Sequence, residues 1–139
     1  TYAWEINNFL GSAGTNWDFL NIAGALTISA TSGNKFVIDV ISLLAENNLA
    51  GNASNFDLTS SYSFAIATAA GGISGFDADY FDILTNHFSN SMGPTGGWYV
   101  TQSGNSINLN YAAAIPEPTT GSLLLVGLLG ALATRRRRS

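Results

Sequence analysis

The chain has 139 residues and no cysteine, which excludes disulfides, thiolate metal sites and cysteine nucleophiles. Four of its five basic residues lie at the C-terminus, so Lys35 alone stands against eight acidic residues in residues 1–115, a balance of −7. A surface of that charge repels phosphates and argues against a nucleic-acid partner.

Short segments that alternate apolar and polar residues predict strands along residues 1–111. The predicted strands are residues 25–30, 35–44, 62–67, 98–101 and 106–111. Ser103-Gly104-Asn105 predicts a tight turn between the last two strands. A single helical turn is predicted at residues 77–81, with Asp77 capping the amide of Asp79 or Tyr80.

These segments indicate an all-β domain, and two architectures are compatible with them. Residues 17–28 give two short strands separated by Gly24, and residues 70–77 and 97–100 have a similar character. They resemble the rungs of autotransporter-type β-helices, in which inward residues of one rung stack on the next. We therefore expect a small parallel β-solenoid, with an antiparallel β-sandwich or jelly roll as the alternative.

The end of the chain predicts a membrane-spanning helix. Residues 118–134 contain no charge, and residues 119–134 are rich in leucine, close to the minimum length for a bilayer. Four adjacent arginines, Arg135, Arg136, Arg137 and Arg138, follow and should remain cytoplasmic. The fold class is therefore all-β followed by one C-terminal hydrophobic helix.

The tripeptide Pro116-Glu117-Pro118, the apolar helix and the closing arginines together resemble the PEP-CTERM sorting signal. This resemblance implies export by a Gram-negative bacterium that makes extracellular polysaccharide. It also implies recognition of the tripeptide by exosortase, a membrane-embedded cysteine protease that removes the helix. The protein would pass transiently through the inner membrane and reach the cell surface or extracellular matrix.

The resemblance further implies an N-terminal signal peptide. The sequence opens Thr1-Tyr2-Ala3-Trp4, so we expect an upstream part. The expected organisation is a β-rich extracellular domain at residues 1–111, a tether at 112–118, a transmembrane helix at 119–134 and a basic tail at 135–139.

Catalytic and cofactor sites have little basis in the sequence. His87 is the only histidine and lies in a polar segment, which predicts a surface position. Asp77, Asp79 and Asp82 form the densest carboxylate group and are a weak calcium candidate, because calcium needs six to eight oxygen ligands. We predict no catalytic residue, no cofactor and no other metal site.

Eight tryptophans and tyrosines in residues 1–115 allow two interpretations. Exposed rings could stack on sugars beside Asn and Asp side chains, or the rings could fill a small core. The residues are Tyr2, Trp4, Trp17, Tyr62, Tyr80, Trp98, Tyr99 and Tyr111. The sequence thus favours a non-enzymatic matrix protein associated with exopolysaccharide, with a carbohydrate-binding or adhesive module as the alternative.

Overall fold

The computed structural model describes residues 1–115, and this part is all-β, as predicted. Its only helical element is a 3₁₀ turn at Ala78–Tyr80. The strands are β1 Tyr2–Ile6, β2 Leu20–Ile22, β3 Leu26–Thr27, β4 Phe36–Ser42, β5 Tyr62–Ala69, β6 Ile73–Ser74, β7 Phe81–Leu84, β8 Gly97–Ser103 and β9 Ser106–Ala112.

Within the described residues, no helix is long and apolar enough to cross a membrane. The predicted helix at 119–134 lies outside them, as do Pro116, Glu117 and Pro118 and the arginines at 135–138.

Parallel strand pairs recur along the chain, with partners 36 residues apart in β1 and β4 and 45–47 residues apart in the other pairs. The first sheet has the order β1-β4-β7, and Phe36 of β4 pairs with Phe81 of β7. Strand β2 pairs with β5 in parallel, and β3 pairs with β6. The Thr27 and Ser74 side chains, 47 residues apart, lie in contact at 3.4 Å. Residues 2–35, here called the first turn, are therefore covered by residues 36–80, the second turn.

A C-terminal hairpin closes the second turn. Strand β9 runs antiparallel to β5, and β8 runs antiparallel to β9. The two-residue connection begins at Gly104, whose φ of 56° suits glycine, so the predicted tight turn is confirmed. The resulting sheet, β2-β5-β9-β8, is mixed, and the predicted parallel solenoid is not confirmed. An entirely antiparallel sandwich does not describe the fold either, because β1-β4-β7 is parallel.

The outer edge of β1 is covered by the chain that follows it. Residues 13–18 turn back along β1, where the Asp18 amide donates to the Glu5 carbonyl at 3.0 Å. The Asn7 amide donates to the Asn16 carbonyl at 2.9 Å. These bonds satisfy backbone groups that would otherwise invite pairing with another chain.

Aromatic side chains fill the space between the two larger sheets. Trp4 is fully buried, and Phe9 lies 4.7 Å from Phe56 between ring centroids. We call the set the aromatic cluster: Trp4, Phe9, Trp17, Phe56, Tyr62, Phe64, Phe88, Trp98 and Tyr111. Its tilted and edge-to-face pairs each add about 0.5–1.5 kcal/mol beyond simple area burial. Most of the tryptophans and tyrosines therefore belong to the core, as one of the two interpretations of the sequence expected, while Tyr99 remains half exposed.

Two glycines at equivalent positions of the two turns provide a test of the stacking. A Cβ at Gly71 would lie 2.6 Å from the Ala25 backbone nitrogen, whereas a Cβ at Gly24 would meet nothing within 4 Å. Gly71→Ala should therefore lower the free energy of unfolding by about 2–3 kcal/mol, because backbone cannot move aside as a side chain can.

Gly24→Ala should change stability by less than about 1 kcal/mol, in either direction. Chemical denaturation of the two variants measures both values. Equal losses at the two positions would contradict the close approach of the turns.

Candidate functional site

The last described residues are held against the domain. Strand β9 ends at Ala112, and we call the next three residues, 113–115, the C-terminal latch. Its three hydrogen bonds run from Ala113 N to Ser61 Oγ at 3.2 Å, from Ala114 N to Leu58 O at 2.7 Å, and from Ile115 N to Thr95 Oγ1 at 2.7 Å. The chain therefore contacts the domain beyond residue 111, where the sequence placed the boundary.

Side-chain packing adds to these bonds. Ala114 is only 6% exposed, and its methyl group lies beside Gly93 and near Leu58. Thr95 Oγ1 also lies 3.3 Å from the Ile115 carbonyl and can donate to it, so one hydroxyl serves both backbone groups of that residue. The Ile115 side chain is 68% exposed and adds little burial.

The turn that supplies two latch partners is itself fixed by Asp57. Its carboxylate accepts from the Thr59 hydroxyl at 2.7 Å and from the Thr59 amide at 2.9 Å, and the Ser60 hydroxyl adds a third bond. The bonds from Thr59, the hydroxyl first, lower the pKa of Asp57. Leu58 and Ser61 are therefore presented by an ordered turn.

A polar depression, here called the Asn-rich pocket, lies over the outer face of β1. It has a volume of about 200 Å³. Its lining includes the side-chain-bearing residues Glu5, Asn7, Thr15, Asn16, Asp18, Leu43 and Asn48. Backbone pairing of β1 with residues 13–18 places both Glu5 and Asp18 in this lining, and the Asp18 carboxylate accepts from the Glu5 amide at 3.0 Å.

The amides in this pocket fix one another. Asn7 donates to Asn48 Oδ1 at 2.7 Å and accepts from Asn16 Nδ2 at 3.0 Å. Asn16 Oδ1 in turn accepts from the Ser12 amide. Among residues 1–115, the Nδ2 group of Asn48 has no hydrogen-bond partner, so it is an ordered donor facing solvent. Because these amide side chains are already ordered, they can bind hydroxyl groups without losing much more side-chain entropy.

A second cavity is apolar and has a volume of about 280 Å³. Leu20 and Phe36, which are 47% and 40% exposed, lie at this groove. Tyr2 also lines it, and its buried hydroxyl has no partner in the described part of the chain. Burial, and secondarily the negative charge of Asp18, raise the pKa of Tyr2 to about 12.

The three aspartates of the calcium candidate have separate local roles. Asp77 caps the 3₁₀ turn by accepting from the Asp79 amide at 2.9 Å, as the sequence predicted. Asp82 lies in β7, in register with Val37 of β4. No group of three or more His, Asp or Glu side chains suited to a metal occurs within the described residues. Calcium binding stays a prediction.

His87 lies on the surface, as predicted, with 66% of its side chain exposed. Its Nδ1 is 2.8 Å from Oδ2 of Asp39, which lies in β4. The sequence did not indicate this partner, which is 48 residues away. The Asp39 side chain is only 15% exposed, so His87 covers a largely buried carboxylate from the solvent side.

Residues 114–138 match the family model of the PEP-CTERM protein-sorting motif. The match begins inside the latch and includes Pro116, Glu117 and Pro118 and all four arginines. No curated protein and no solved structure matches the chain. The chain therefore carries a PEP-CTERM sorting motif, and this motif supports a protein that is targeted to exosortase and exported to the cell surface of a Gram-negative bacterium.

The sequence did not predict the latch or the Asn-rich pocket. The latch depends on Thr95, which is 20 residues from its partner. The pocket depends on side-chain bonds such as that from Asn7 to Asn48, across 41 residues. An internal repeat, in which Asn8-Phe9 recurs as Asn55-Phe56 and an Ala-Gly step recurs at residues 23–24 and 70–71, signals the stacking of the two turns but includes none of these hydrogen-bonding residues.

Tyr2 and Tyr111 each have a buried hydroxyl group, and the two hydroxyls differ in their hydrogen bonding. The Tyr111 hydroxyl is 3.1 Å from the Met92 carbonyl and 3.2 Å from that of Leu58, to which it can donate, whereas Tyr2 has no such acceptor in residues 1–115. At neutral pH, Tyr111→Phe should lower the free energy of unfolding by about 1 kcal/mol. Tyr2→Phe should leave it unchanged or raise it slightly.

The raised pKa of Tyr2 adds a pH dependence to this comparison. Between pH 10 and about 12 the unfolded state loses the Tyr2 proton before the folded state does, so stability falls as pH rises. Tyr2→Phe should flatten that fall in denaturation curves recorded across this range. An unchanged slope would show that Tyr2 titrates normally.

Proposed function

We propose that this protein is a non-enzymatic structural component of the cell surface or extracellular matrix, associated with exopolysaccharide after processing by exosortase. The observation that carries the proposal is the sorting motif at residues 114–138, which directly follows a β domain. Most apolar residues of the domain pack in the core, either in the aromatic cluster or on paired strands, and so have a structural role.

The proposed route includes a transient stage in the inner membrane. Residues 119–134 would span the bilayer, and Arg135 to Arg138 would remain in the cytoplasm. The β domain, with a single lysine against eight acids, would lie outside. Cleavage near Pro116 to Pro118 would then free it from the membrane.

We also infer that the two turns are a short parallel solenoid closed by the β8–β9 hairpin. Parallel pairs at Leu20–Ala67 and Leu26–Ile73 support this interpretation. The mixed sheet then results from one capping hairpin. A short closed stack suits a structural role because it places polar loops around a rigid core.

Processing is tested by the intact mass of the protein from cells with and without the exosortase. The wild-type protein should lose the segment that follows the Pro-Glu-Pro tripeptide only in the protease-positive strain. A Pro116→Ala/Pro118→Ala variant should be processed about tenfold less, because a protease that recognises the rigid tripeptide loses its shape and its contacts.

Glu46→Ala is the comparison, since Glu46 is an exposed residue outside both the motif and the C-terminal latch. It should be processed like the wild type. Uncleaved wild-type protein in both strains would refute exosortase processing.

The alternative function is a carbohydrate-binding or adhesive module on the same sorting motif. The Asn-rich pocket favours it, because ordered amides and two carboxylates can bind sugar hydroxyls and an ammonium group. The acidic surface would favour neutral or amino-bearing sugars over anionic ones.

This alternative predicts that a glucosamine oligomer binds more tightly than its N-acetylated counterpart. Glu5→Gln should weaken binding of the glucosamine oligomer about threefold, as expected for one exposed charge pair, and Glu5→Gln/Asp18→Asn more strongly. Asp82→Asn makes the same charge change outside the pocket and should have no effect. Calorimetric titration gives the affinities, and equal affinity for both oligomers would reject the pocket as an amino-sugar site.

A further inference from the structure

We propose that the C-terminal latch controls access of the sorting protease to its recognition motif. The inference rests on the proposed processing by exosortase and concerns the three residues immediately before Pro116. Ser61, Leu58 and Thr95 act in it as positioning residues, because they hold the substrate segment and do not take part in the chemistry.

The backbone groups of the latch are already occupied by the domain. The amides of residues 113, 114 and 115 all donate within the fold, and the Ile115 carbonyl faces the Thr95 hydroxyl. A protease generally binds its substrate as an extended strand and pairs with these same groups. The latch and the protease therefore compete for one set of hydrogen bonds.

Burial strengthens the competition. Ala114 is 6% exposed, with its methyl group close to Gly93, so the segment must leave the surface before a protease can enclose it. The fixed turn around Asp57 keeps Leu58 and Ser61 in place and so favours the closed state. In the folded protein, only the fraction with an open latch is a substrate.

The inference predicts that a looser latch is cut faster. If opening precedes cleavage, the apparent processing rate is proportional to the open fraction. Thr95→Val keeps the shape of the side chain and removes the hydroxyl that serves Ile115. Loss of hydrogen bonds of ordinary strength should raise the open fraction, and with it the processing rate, about three- to tenfold.

The experiment is a pulse-chase measurement of the full chain in cells that contain the exosortase. Thr95→Val and Ser61→Ala should both accelerate processing, and the double variant should accelerate it further. Thr85→Val is the matched comparison, because the Thr85 hydroxyl makes no hydrogen bond within the described residues, and its rate should equal that of the wild type. An unchanged or slower rate for Thr95→Val would overturn the proposal.

Amide hydrogen exchange on the same proteins separates this proposal from the processing it depends on. Thr95→Val should speed exchange at Ile115 and Ala114 while leaving the amides of β5 unchanged. If the latch amides exchange as fast as an unstructured peptide in the wild type, the latch is absent and the proposal fails. If they are protected but the wild type is never cleaved, exosortase processing has failed instead.

Discussion

The backbone of the second turn lies directly on the backbone of the first, and the other features of the domain depend on this contact. Gly71 approaches the Gly24–Ala25 peptide too closely for any side chain. The same stacking brings Phe56 onto Phe9 and so assembles the aromatic cluster. Other segments of the chain cover the edge strands of the stack: residues 13–18 pair with β1, and the β8–β9 hairpin pairs with β5. In a domain of this size, such a core must provide most of the stability.

Local features of the fold could be predicted from the sequence, and pairings could not. The turn at Gly104 and the cap at Asp77 depend on adjacent residues, so their sequences specify them. Strand β1 was not predicted, because it depends on pairing with β4, whose residues lie 36 positions later in the chain, as in the pair Tyr2 and Ile38. The pairing of β9 with β5, which makes one sheet mixed, could not be predicted either. The alternating pattern of β9 predicts a strand but does not indicate its partner.

A few short contacts connect the sorting motif to the domain, because Ala114 and Ile115 belong to both the motif and the latch. The motif could be recognised in the sequence because its rigid tripeptide, apolar segment and arginines are contiguous. The latch could not, because Thr95 and Ser61 reach it only after the chain has folded. Under the proposed latch mechanism, folding and processing are coupled, because the surface that holds residues 113–115 exists only in the folded domain. An exported protein would then present its cleavage segment at a rate set by its own latch.

The stacking of the two turns is tested most directly by a cross-link between them. Thr27 and Ser74 are in register on β3 and β6, their hydroxyls 3.4 Å apart, and the natural chain has no cysteine to interfere. Thr27→Cys/Ser74→Cys should therefore form an intramolecular disulfide under mild oxidation, since paired strands fall within disulfide geometry. Thr27→Cys/Asp79→Cys should not. Equal cross-linking of the two pairs, or none in the first, would contradict the stacked arrangement.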